Sequence, residues 1–227
     1  MDDLLELLDV RMRTMWCHDE RGRITTQNRP GAQPAPRLVV SRSGAGVVWR
    51  TSPAVTPEQD ADLRRVVVDG GDWRADHPDN LDAILDVLGG GEIDGGPNFR
   101  PTAAMAEPTG DTVVVTAATI DVLGPLMGDW QVDVGTRDPV VAAVVDGLAV
   151  AVCMSARLGP EVHEAGVETH RDHRTQGHGL AAVAAWRVAV ESLGAIPLYC
   201  TDWSNTASQR LARAAGFEHY STDLYVP

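Results

Sequence analysis

Apolar positions in the first half of the chain come in short bursts. Leu4, Leu5, Leu7, Leu8, Met12 and Met15 recur at helical spacing and predict an amphipathic helix over residues 2–16. Three β-like runs follow, Arg23–Thr26, Arg37–Ser41 and Gly46–Thr51. They are broken at Asn28-Arg29-Pro30-Gly31 and at Ser43-Gly44, which predicts a small antiparallel meander. Thr56-Pro57-Glu58-Gln59 has the form of a helix start, with proline at the first helical position. Asp79–Leu88 predicts a second helix, stopped by Gly89-Gly90-Gly91. The Gly- and Pro-rich stretch from Gly89 to Gly110 is the best candidate linker.

The second half has a different rhythm. Thr112–Ala118 is a β-branched run, and Ile120–Met127 predicts a short helix. Pro139–Val145 and Leu148–Ala156 are apolar runs separated by Asp146-Gly147, a strong hairpin signal. Val162–Thr169 predicts a strand, Gly179–Leu193 a long Ala/Val-rich helix, and Ile196–Cys200 a strand. Thr206–Ala215 predicts a helix closed by Gly216, and Tyr220–Tyr225 a last strand. The order predicts a mixed α/β sheet with helices packed on it.

Composition narrows the picture. The chain has 227 residues, 44% hydrophobic and 22% charged, enough for one large domain or two small ones. No stretch approaches the roughly 18 apolar residues of a membrane span, and the acidic start MDDLLELLDV lacks the order of a secretory signal. Three scattered cysteines, Cys17, Cys153 and Cys200, argue against a disulfide framework and point to a reducing, cytoplasmic setting. A net charge of -13 disfavours nucleic acid and suits a cationic partner, or serves solubility alone.

The candidate chemistry lies where strand 162–169 meets helix 179–193. Arg174-Thr175-Gln176-Gly177-His178-Gly179-Leu180 places an Arg-x-x-Gly-x-Gly turn directly before the helix. Glycines permit a tight turn and close approach of a ligand. Free N–H groups and the dipole at a helix start favour an anion, and Arg171 and Arg174 add positive charge. The turn lacks the Gly-Lys-Ser/Thr of a Walker loop, and its spacing differs from a dinucleotide fingerprint.

Arg174–Gly179 matches the Q/R-x-x-G-x-G/A motif of the GNAT superfamily of acyl-CoA N-acyltransferases. Downstream, Asn205 through Ser208 and Leu211 to Gly216-Phe217 resembles the last helix of that family. One helix and one strand separate the motifs, as in the family, and the resemblance covers roughly residues 110–227. Glu164-x-x-x-Glu168-Thr169 and Asp202-Trp203-x-Asn205-x-x-Ser208 are similar to the branch of zwittermicin-resistance acetyltransferases. The first 100 residues do not resemble the superfamily core.

The resemblance implies a GNAT-like, mostly antiparallel sheet flanked by helices over 110–227; the elements read over 1–100 predict a small α+β region before it. The resemblance also implies acetyl-CoA as co-substrate and a primary amine on a small molecule or peptide as acceptor. Backbone groups of Val167, Glu168 and Thr169 are then expected to pair with the pantetheine arm. The amides from Thr175 through Gln176, Gly177, His178 and Gly179 to Leu180 are expected to hold the pyrophosphate, and Asn205 and Ser208 to face the coenzyme near its sulfur.

Transfer to an amine needs a proton acceptor near the thioester. Glu164 and Glu168 are the candidates, four apart on one strand and so on one face. A solvated sheet face, or ion pairing with Arg157 or Arg171, is the plain alternative. A backbone N–H of strand 162–169 would stabilise the oxyanion. Many family members carry a Tyr where this chain has Ala212. Ser208 could serve as the acid instead, or water could, or none is required. Tyr199 and Tyr225 are too loosely placed to nominate. A non-catalytic acyl-CoA sensor or immunity-type module is the alternative function, motivated by the missing Tyr.

Other features read as structural. His163, His170, His173 and His178 match no usual zinc spacing, so no metal is expected. Cys153 and Cys200 sit in apolar runs as core residues, and Trp49, Trp73 and Trp130 read as packing anchors. Trp203 could line an acceptor pocket or pack in the core. The first 100 residues form a lid, a dimerisation module for a homodimer, or a degenerate repeat of the catalytic fold. Asn98-Phe99-Arg100 reads as a loop able to reach the active site.

Overall fold

A computed structural model describes residues 3–29, 31, 33–69, 73, 74 and 77–227. It divides into two compact units, one of residues 1–98, 201–206 and 219–227, the other of residues 99–200 and 207–218. The fold is mixed α/β, with mostly antiparallel sheet flanked by helices. No helix among the described residues is long and apolar enough to cross a membrane.

The first unit opens with α1 (Leu4–Met15), whose N-cap Asp3 accepts from Leu5 N–H. The hairpin β1 (Trp16–His18) and β2 (Ile24–Gln27) forms its own two-stranded sheet. β3 (Leu38–Ser43) and β4 (Gly46–Thr51) form a second antiparallel pair. The expected meander is therefore not continuous: β2 does not continue into β3, which pairs instead with β13 (Phe217–Val226). α2 (Pro57–Asp69) starts at the predicted proline. Its Thr56 and Gln59 form a reciprocal capping box, each main-chain N–H bonded to the other side chain. Short strands β5 (Trp73–Arg74) and β6 (His77–Pro78) precede α3 (Leu81–Leu88), which ends on left-handed Gly89. The side chain of Trp73, Asp2 in the first helix prediction and Pro30 in the first predicted break lie outside the described residues.

The proposed linker holds a strand. β7 (Asp94–Pro101) occupies its middle, next to β13 in the sheet. Gly95 and Gly96 allow it: a Cβ on Gly95 would strike the carbonyl of Asp223, and one on Gly96 that of Thr201. Composition misled because these glycines serve close backbone approach rather than flexibility. Asn98 and Phe99 are buried within this strand and are not a loop.

Strand alternation sorts the first unit's core. Leu38, Val40, Leu224 and Val226 pack against Leu63 and Val67 of α2 and Ile84 and Leu88 of α3. Val39 joins Met12 and Met15 of α1, with Trp16 and Ile24. The face of Val39 also carries a buried polar knot: Asp223, 2% exposed, accepts from Arg11, Ser41, Asn98 and Tyr225.

The second unit carries β8 (Thr112–Val115), β9 (Val140–Val145), β10 (Leu148–Leu158), β11 (Val162–Thr169) and β12 (Ile196–Cys200), adjacent in reverse order. β8 to β11 are antiparallel neighbours, and β11 and β12 run parallel. Asp146 and Gly147 both take positive φ, 50° and 83°, as the predicted tight turn requires. Two 3₁₀ turns, Ile120–Leu123 and Gly128–Asp133, replace the helix expected over 120–127. α4 (His178–Ser192) and α5 (Thr206–Ala214) follow the predictions within a residue.

β9 and β10 read as unbroken apolar runs because both faces are covered. Val141, Ala143, Ala151 and Cys153 pack with Ala182, Val183, Trp186 and Val190 of α4. Val140, Ala142, Val152 and Met154 pack with Leu123 and Met127 of the 3₁₀ segment. Trp186, fully buried, donates its indole N–H to Ser155 Oγ at 3.2 Å, and Ser155 lies 2.8 Å from His163 Nδ1.

Candidate functional site

The site is assembled by the parting of two parallel strands. β12 pairs with β11 only at Val162↔Ile196, His163↔Pro197 and Glu164↔Leu198. On its other edge β11 pairs with β10 all the way to Thr169. The stretch Ala165–Thr169 therefore keeps one edge whose main-chain groups β12 does not use. Val167, Glu168 and Thr169 lie on it, where an extended ligand could add as a strand would.

β11 leads through a 3₁₀ turn, Arg171–His173, into α4. Gly177 is the N-cap of α4, in left-handed conformation (φ 89°), with no side-chain cap. The first main-chain N–H groups of the helix thus lack both intrahelical and capping partners. A Cβ placed on Gly177 would meet nothing within 4 Å, so the space in front of the turn is open. Thr175 is held at φ 62°, unusual for a β-branched residue. Arg174 Nε donates to Thr169 O at 3.2 Å, and Gln176 Nε2 to Asp172 O at 3.2 Å, which tie the turn to the strand end. Residues 174–177 are exposed, and His178 and Leu180 are half-buried. Gly179 is buried against Thr169, whose Oγ1 would lie 2.8 Å from an added Cβ. The donor set suits a diphosphate: an uncapped helix N-terminus, an open cradle and one adjacent guanidinium.

The two carboxylates differ in setting. Glu164 is 3% exposed and stands opposite Arg157 in the β10–β11 register. Glu168 is exposed, and its Oε2 accepts from Trp130 Nε1 at 3.0 Å. Trp130 packs beside the Leu123–Met127 cluster as anticipated, but its indole N–H also fixes a candidate base. Only the fold brings residues 38 positions apart into this bond, and the sequence held no signal for it.

Ser208 lies on α5, and its Oγ is 2.8 Å from Tyr199 Oη at the end of β12. Burial pushes the Tyr199 hydroxyl up to about 12, opposed by its bond to Ser208. Ala212 is fully buried in the same apolar cluster as Tyr199. The sequence had set Tyr199 aside; the short segment from β12 to α5 was the one clue that it could meet Ser208. Asn205 belongs to the other compact unit, directly before α5, and its N–H donates to Asp202 O. Trp203 packs partly buried with the Leu224 cluster.

The remaining thiols and imidazoles play other parts. Burial raises the Cys153 thiol well above its ordinary range, so it is an inert core group, whereas Cys200 is half-buried. The rings of His170 and His173 lie tilted 6.0 Å apart, and those of His173 and His178 meet in a T-shaped arrangement at 5.9 Å. Burial lowers the pKa of His163.

No family model matches the chain, and no curated protein matches it. Solved structures do. A GNAT-family acetyltransferase of Colwellia psychrerythraea matches over 100% of this chain and 97% of its own, with 11% identity and a TM-score of 0.53. A GCN5-related N-acetyltransferase of Sphaerobacter thermophilus matches over 88% and 78%, with 14% identity and a TM-score of 0.49. A GNAT-family structure of Novosphingobium aromaticivorans matches over 60% of this chain and 66% of that one, just under two thirds of its length, with 16% identity and a TM-score of 0.45. The first of these likenesses extends over both halves of the chain, whose fold is GNAT-like.

Proposed function

We propose that the chain is an acetyl-CoA-dependent N-acetyltransferase acting on a primary amine of a small molecule or peptide. The observation that carries this reading is the pairing of a free β11 edge with an uncapped, glycine-opened start of α4. An extended thiol arm and a diphosphate need those two features side by side. Main-chain groups of Val167, Glu168 and Thr169 bind the arm. The amides from Thr175 to Leu180, with Arg174, hold the diphosphate. Residues 110–227 supply this chemistry. The Glu164-x-x-x-Glu168-Thr169 and Asp202-Trp203-x-Asn205-x-x-Ser208 patterns favour the zwittermicin-resistance branch.

When bound, acetyl-CoA supplies an acetyl group activated as a thioester. Glu168, oriented by Trp130, accepts the proton of the incoming ammonium at Oε2. Glu164 adds negative charge on the same strand and favours a cationic acceptor. Ser208 Oγ, bonded to Tyr199 Oη, is the proton donor, and it replaces the side chain that Ala212 lacks.

The test is calorimetry with acetyl-CoA on the wild type and on Gly177→Asp, joined to a free-CoA assay over an amine panel. A carboxylate on the open face of the turn repels the diphosphate, so binding is expected to vanish in the variant. Unchanged affinity there would overturn the assignment. Tight binding with no CoA release from any amine would favour a sensor.

A further inference from the structure

The first unit contains a cavity of about 700 Å³, within the usual span of small-molecule sites. Strand β4, the turn between β1 and β2, and the start of α2 line it. Its charge runs against the whole chain. Four guanidinium groups, Arg21, Arg23, Arg50 and Arg64, face two carboxylates, Asp9 and Asp60, in a protein of net charge -13.

Those four are not equivalent. Arg50 is paired with Asp9, and Arg23 with Asp19 at 2.8 Å. Asp60 accepts from Thr51 Oγ1 at 2.7 Å. Among the described residues, Arg21 and Arg64 have no carboxylate partner. Arg64 lies over the Trp49 ring, 5.7 Å from its centroid, which restricts the side chain before any ligand arrives. Thr56 Oγ1 accepts from Gln59 N–H, leaving its own proton to donate to a guest. The capping box occupies the α2 N-terminus, so the guanidinium groups and not the helix dipole would recognise an anion.

We propose that this cavity binds a small phosphate monoester. Arg21 and Arg64, the two lining guanidinium groups without a carboxylate partner among the described residues, answer the roughly -1.5 to -2 of a phosphate monoester at neutral pH. Arg21 and Arg64 take the phosphate oxygens, the Thr56 hydroxyl donates a third bond, and the remaining volume accepts the organic part. The site is separate from the coenzyme turn and stands whether or not that assignment does.

Calorimetry with ribose 5-phosphate at low and moderate salt tests it, with succinate as a carboxylate dianion for comparison. The wild type, Arg21→Ala/Arg64→Ala and Gly177→Asp are titrated side by side. Both arginines are exposed, so their removal leaves the fold intact by circular dichroism. Binding is expected to weaken about tenfold or more in the arginine variant, to persist in Gly177→Asp and to fall with salt. No binding to the wild type, or equal affinity in the arginine variant, overturns the site. Tighter binding of succinate overturns the phosphate assignment.

Discussion

Tyr199 Oη lies 2.8 Å from Ser208 Oγ, a bond that joins the end of strand β12 to helix α5. Both residues belong to the second compact unit, and Tyr199 is only 2% exposed. Position 212, in the same apolar cluster as Tyr199, is a buried alanine.

Tyr199→Phe removes the hydroxyl that bonds Ser208 while filling the same volume. The variant is expected to fold and to lose about 0.5–1.5 kcal/mol of stability with the hydrogen bond. The rate of CoA release should fall by about tenfold or more, with little change in acetyl-CoA affinity. With the hydroxyl held at about 12, Tyr199 stays protonated through pH 9, so no loss of rate from its ionisation is expected up to there. Steady-state kinetics against pH checks both statements.

Trp130→Phe keeps the ring in the Leu123–Met127 cluster and removes the N–H that holds Glu168. The turnover rate is expected to fall several-fold, while acetyl-CoA binding stays within about twofold. Glu168→Gln should reduce the rate further, by about a hundredfold, the lower end of general base contributions.

Gly177 and Gly179 are required for different reasons. Gly177→Ala meets no neighbour but must hold a left-handed φ, which costs about 1–2 kcal/mol. Gly179→Ala instead drives a Cβ against Thr169 Oγ1. Thermal denaturation should therefore show Thr169→Ala partly rescuing Gly179→Ala and leaving Gly177→Ala unrescued.

His163 links pH to stability. Trp186 can only donate to Ser155, so the arrangement that uses every proton has Ser155 donating to a neutral His163. Burial lowers its pKa below that of the unfolded chain, so the unfolded state takes up the proton more readily. Stability must then fall as pH drops through about 6.5, the unfolded value. Urea denaturation at pH 8 and pH 5.5 is expected to show a smaller pH difference in His163→Gln than in the wild type.

Asp223 receives four side-chain donors in the core of the first unit, among them Arg11 at 2.7 Å. Asp223→Ala removes the carboxylate that the 3% exposed Arg11 meets at 2.7 Å and that Ser41, Asn98 and Tyr225 also bond. A loss of about 3–5 kcal/mol is expected in chemical denaturation.

Short stretches of residues dictate the local elements and the turn chemistry. Proline at 57, Asp146-Gly147 and Gly177-His178-Gly179 each report a backbone requirement that a few neighbouring residues satisfy alone. The strand edges 162–169 and 196–200 were legible too, because hydrophobic runs and their breakers are local. Which residues meet is set by the assembled fold. It put β7 where composition implied a linker, since glycine spacing does not distinguish flexibility from close backbone approach. It parted β11 from β12 beyond Glu164, brought Trp130 to Glu168, and set Tyr199 against Ser208. Those contacts depend on strand register and helix placement, which many distant residues fix together, so no short segment of sequence carries them.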